Sequence, residues 1–132
     1  MSVKAETLTV SMECTAEEVY AFVSHPENLP RWATAFCKSV RQSGPDWIME
    51  TPEGPATVRF VGKNPFGVLD HYVVPATRVE IYVPMRVVAN GAGGSAVVFT
   101  LFHPPNMSEE QFRNDLAMVQ RDLITLRRVL GG

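Results

Sequence analysis

The chain opens on an alternation. From Thr7 to Glu13, Leu8, Val10 and Met12 fall on one side and Thr9, Ser11 and Glu13 on the other, which is the two-residue period of a half-buried strand. The period then lengthens. Thr15 and Glu18, in TAEE, form a capping box that predicts a helix start. Val19, Phe22 and Val23, spaced i, i+3, i+4, give that helix its apolar face. Pro26 cannot continue the helix but suits the first turn of another, and Pro30 holds the second to a turn or two, ending at Trp32.

From Phe36 the pattern breaks into short β-like runs: FCKSVRQ, WIME, ATVRFVG, VLDHYVV, TRVEIYVPMRVVAN and SAVVFTLFH. Each break between them carries Gly, Pro, Asn or Asp, the turn formers. With the N-terminal run this predicts seven strands, the last six an antiparallel meander. After Pro104-Pro105, Ser108 and Gln111 suggest a second capping box, and nothing breaks a helix before Gly131. Phe112, Leu116, Val119, Leu123, Leu126 and Leu130 step by four and three. Acids lead this helix and arginines trail it, as the helix dipole prefers. It is roughly 34 Å long. A sheet in the same chain needs covering, so the stripe is expected to pack there rather than in a coiled coil.

Composition adds exclusions. With 132 residues and no repeat or linker, one domain over 1–132 is expected. An apolar share of 45% and a charged share of 20% fit an ordinary globular chain. A net charge of −2 leaves no footprint for nucleic acid. No apolar run nears the roughly 20 residues of a membrane span, and MSVKAETLTV lacks the apolar core of a secretory signal. Cys14 and Cys37 form no CxxC and stand beside no paired histidine motif, so no metal or other cofactor is expected, and a cytoplasmic protein with free thiols is.

The order strand, two short helices, six-stranded meander, long C-terminal helix resembles the START-like helix-grip superfamily over the whole chain. TAEEVYAFVSHPENLPRWA is similar to the N-terminus of its polyketide cyclase/dehydrase and lipid-transport branch, and NPFGVLDHYV, PMRVVANG and VVFTLF resemble a bacterial version of it. The resemblance implies an α+β fold in which a curved seven-stranded sheet wraps the long helix. It also implies a cavity between sheet and helix, with the short helices on its rim.

Within that frame Trp32 belongs near the cavity mouth, where an amphipathic ring can face ligand and water together; it could equally plug the core under the short helices. Asp70 and His71 are neighbours on a strand and must point to opposite faces. If Leu69 and Val73 face inward, so does His71, as a ligand contact or an acid or base. Such a histidine is more often a hydrogen-bonded core residue. Tyr82 could reach a ligand carbonyl or merely cover the convex face. On the sixth strand, Val79, Ile81 and Val83 set one phase, opposite Arg78, Glu80 and Tyr82. Continued regularly, that phase puts Arg86 in solvent. Pro84 suggests instead a bulge that reverses it, turning Arg86, Val88 and Asn90 inward as an anchor for carboxylate or carbonyl ligands. Phe99 on the seventh strand and Leu116 and Val119 on the helix complete the expected lining. No nucleophile elbow, phosphate loop or pair of carboxylates on one face stands out.

These features favour binding of a small hydrophobic or aromatic molecule. A cyclase- or dehydratase-type enzyme is the next reading, with His71 as acid or base and Arg86 or a tyrosine steadying an enolate oxygen. A protein-interaction domain with a filled core and an exposed apolar patch is the third.

Overall fold

The structure, a computed structural model, describes residues 2–77 and 79–132; Arg78 lies outside them. The elements run β1 (Lys4–Met12), α1 (Ala16–Val23), a 3₁₀ turn (Pro26–Asn28), α2 (Leu29–Trp32), β2 (Ser39–Ser43), β3 (Asp46–Thr51), β4 (Gly54–Phe60), β5 (His71–Val74), β6 (Ile81–Val83), β7 (Met85–Ala89), β8 (Ser95–His103) and α3 (Glu109–Val129).

The caps form where the sequence places them. Thr15 Oγ1 accepts the Glu18 N–H at 3.1 Å and Glu18 Oε1 accepts the Thr15 N–H at 3.2 Å, a complete box. At α3 only half of the box forms. Ser108 Oγ accepts the Gln111 N–H, but the Gln111 amide turns down the helix to Asp115 Oδ1, 2.9 Å away.

All strand pairs are antiparallel, in the orders β1-β8-β7 and β2-β3-β4-β5-β6. The expectation of seven strands in one sheet therefore needs correction: the described residues form eight strands in two sheets. Pro84 is the cause. It has no N–H to give a ladder, and the expected sixth strand changes partner there. Ile81 and Val83 pair with Val73 and His71, whereas Met85 pairs with Phe99 on β8. The Pro84 carbonyl accepts the Thr100 N–H at 3.0 Å, and the Leu69 N–H donates to the Met85 carbonyl at 2.8 Å, which knits the sheets together at the switch.

The phase does not reverse at Pro84. Val83, Met85 and Val87 are all buried, while Arg86 and Val88 are exposed. One residue separates each inward side chain from the next, so the alternation continues through the proline without an added residue.

Gly67 fixes the approach to β5. Its φ is +71°, and a Cβ there would run into the Val87 carbonyl oxygen. The Val87 N–H donates to the Gly67 carbonyl at 3.0 Å. Only glycine lets the chain pass this close to β7, and the passage delivers Leu69, Asp70 and His71 to their places. Beneath the sheets, α3 buries Phe112, Leu123 and Leu126, and the core continues through Val10, Val97, Met85, Val58 and Val19. No helix among the described residues is long and apolar enough to cross a membrane.

Candidate functional site

A cavity of about 160 Å³ lies between the sheets, α2 and α3. Leu29, Trp32, Ala33 and Phe36 close one end; Met49, Val58, Phe60 and Val73 form the floor; Phe99 and Leu101 come from β8; Met118 and Val119 come from α3. Ile81, Tyr82 and Phe102 also line it and are each 39% exposed, so they mark its rim.

Of the residues expected from sequence, Trp32, His71, Tyr82, Phe99 and Val119 line the cavity. Trp32 is only 4% exposed, so it forms part of the wall and not a wet mouth. Its Nε1–H is buried without an acceptor. Tyr82 reaches the rim, but its ring stacks on Tyr72 at 5.2 Å and its hydroxyl already donates to Asp70 Oδ2 at 2.8 Å.

Three expected residues are elsewhere. Asn90 is exposed at the end of β7. Leu116 is half-buried on α3 and does not reach the cavity. Arg86 faces outward with Asp70, because the alternation continues through Pro84. Its Nε and Nη2 each stand 3.0 Å from the two Asp70 oxygens. The Met85 N–H adds a fourth hydrogen bond to Asp70 at 2.9 Å. Burial alone would raise the Asp70 pKa, but the hydrogen bonds from Arg86, Met85 and Tyr82 outweigh it and hold the carboxyl below its usual range. The expected anion anchor is thus spent on the fold, as a brace where the two sheets meet.

His71 is the cavity's most defined polar group. It is buried, with its ring against Phe60 at 4.9 Å and edge-on to Phe99 at 5.8 Å. Its Nδ1 is 3.0 Å from the Leu69 carbonyl oxygen. A carbonyl can only accept, so Nδ1 carries the proton, and in the neutral ring Nε2 is an acceptor. Burial pushes the His71 pKa below the ordinary imidazole value, against weaker upward pulls from Leu69 and Asp70, and so favours the neutral ring. Nε2 has no partner among the described residues and stays open to the cavity.

The sequence reading missed two carboxylates. Asp115 and Asp122, seven residues apart and so on one face of α3, both line the cavity. Asp122 is 4% exposed, and its Oδ1 accepts the Ala35 N–H at 2.8 Å. Burial lifts its pKa to about 6, despite hydrogen bonds from the Ala35 and Phe36 backbone and the charge of Arg121. Burial also raises the Asp115 pKa, with the Gln111 hydrogen bond pulling the other way. A signal exists in the sequence: Phe112, Asp115, Val119, Asp122 and Leu126 step by three and four, which puts both carboxylates in register with the apolar face. Cys37, beside this end, donates to the Ser39 carbonyl, and burial and then Asp122 push its pKa up to about 11, so it is an inert thiol.

No family model and no curated protein matches the chain. Solved structures do. An uncharacterized protein from Bacillus thuringiensis is 17% identical, with a TM-score of 0.78 over 96% of this chain and 98% of that one. The di-domain ARO/CYC BexL of the BE-7585A biosynthetic pathway is 14% identical, with a TM-score of 0.76 over 95% of this chain and 45% of BexL. A START superfamily protein from Mycobacterium smegmatis is 13% identical, with a TM-score of 0.65 over 96% of this chain and 98% of that one. The fold is the START-like helix-grip fold.

Proposed function

We propose that this chain, acting as one domain over residues 1–132, binds a small hydrophobic or aromatic molecule in the cavity between the sheets and α3. The cavity itself carries the reading. It is an apolar space inside an otherwise closed core, and its wall holds a few fixed polar groups, the make-up of small-molecule sites. Its size bounds the ligand. A dry apolar cavity of about 150 Å³ holds one benzene, so about 160 Å³ suits a single ring with a few further atoms. A longer molecule would extend through the rim past Ile81 and Phe102. A protein-interaction domain with a filled core fits this interior less well. The two free thiols support a reducing compartment, the cytoplasm.

A second reading is proton transfer on a bound ring, as in a cyclase or dehydratase. What favours it is the neutral His71 with Nε2 open to the cavity. Arg86 is not available to steady an oxyanion, so binding ranks first. Native mass spectrometry of freshly purified protein tests the proposal. The expected spectrum carries a small adduct that Val119→Phe, which fills the cavity, loses. A bare wild-type protein that also takes up no toluene would contradict it.

A further inference from the structure

Building on that binding role, we propose that the cavity selects uncharged, ring-sized molecules carrying a hydroxyl, which donates its hydrogen bond to His71 Nε2, and that it rejects carboxylates.

Three observations converge on this chemistry. First, the polar atom left open on the wall is an acceptor. His71 is locked by its Nδ1–H···O=C bond to Leu69 and wedged between Phe60 and Phe99, so Nε2 is held in one orientation with its lone pair unused. Nε2 is not one of the sealed polar atoms of the described residues, so a ligand that supplies a donor can reach it and gain a hydrogen bond there. Second, no arginine or lysine among the described residues lines the cavity, and the charged groups that do are Asp115 and Asp122. An anionic ligand would meet like charge in a weakly screened, apolar space. Arg86 is bound on the outer face by Asp70. Third, Trp32 Nε1–H is a buried donor without a partner in the same wall. Sealed in the wall, that donor offers a carboxylate nothing, so the acceptor Nε2 is the polar atom a ligand meets, and it suits a donor hydroxyl better than a bare hydrocarbon.

Three probes built on one methyl-substituted ring separate the terms: toluene, p-cresol and p-toluate, titrated calorimetrically at pH 7.5. We expect p-cresol to bind at least about fivefold tighter than toluene, the worth of one net hydrogen bond, and p-toluate to bind more weakly than both. In His71→Phe, which keeps the aromatic packing, the preference of p-cresol over toluene should vanish while toluene still binds. Because that variant could disturb the fold, the wild-type His71 Nε2 ¹⁵N resonance supplies an independent readout; it should move with p-cresol and stay with toluene. Equal affinity for toluene and p-cresol, or tightest binding of p-toluate, overturns the selectivity while leaving hydrophobic binding intact. Failure of toluene and p-cresol alike would overturn the binding role itself.

Discussion

Arg86 and Asp70 hold each other through two parallel hydrogen bonds of 3.0 Å on the outer face of the sheets, at the point where the chain crosses from β6 to β7. The paired geometry is the strongest that an arginine and a carboxylate adopt. Its consequence for function is negative, because it holds Arg86 on the outer face, away from the cavity lining.

Arg86→Met should therefore weaken the fold and leave ligand affinity unchanged. Arg86 is half exposed, so a loss of about 1–3 kcal/mol is expected. Asp70's pKa is depressed in the folded state, so its stabilisation is complete above the ordinary carboxylate value and is lost as pH falls through the folded pKa. Urea unfolding between pH 2 and 7 should show that acid-side loss in the wild type and a smaller one in Arg86→Met. A change in ligand affinity without a change in stability would restore Arg86 to the site.

Asp122 works in the opposite sense. Its folded pKa of about 6 lies above the unfolded carboxylate value, so its favourable contribution is complete below about pH 4 and is lost as pH rises through 6. Asp122→Asn keeps an acceptor for the Ala35 N–H but cannot ionise. Its stability relative to wild type should rise across that window by about 1–3 kcal/mol. A constant difference from pH 4 to 7.5 would mean that Asp122 does not titrate there.

Trp32 should report an occupied cavity. It lines the wall, and Trp47 does not. Excited at 295 nm, wild type and Trp47→Phe should both change emission as toluene is added, and Trp32→Phe should not. A response that follows Trp47 would place the ligand elsewhere.

The helices and turns were legible because their signals are local. Thr15 and Ser108 cap, and Phe112, Leu123 and Leu126 are buried as their spacing implies; Pro30, expected to limit the second helix, sits instead in the first turn of α2. Pro84 was legible as an interruption, but its outcome was not. Whether a proline adds a residue or hands the strand to a new partner depends on Thr100 and Asp70, which lie far off in sequence. Asp115 and Asp122 escaped notice because charged residues are expected on the solvent side of a helix. Only the packed structure shows that Asp122 meets the Ala35 N–H across 87 residues of chain.

The account rests on the cavity being open to a ring-sized ligand, and crystals soaked in bromobenzene test this most directly. The account predicts an anomalous bromine peak inside the space between Phe36, Phe60 and Val119, absent in Val119→Phe. Crystals that show no peak there, or bromine only on the outer surface, would contradict it.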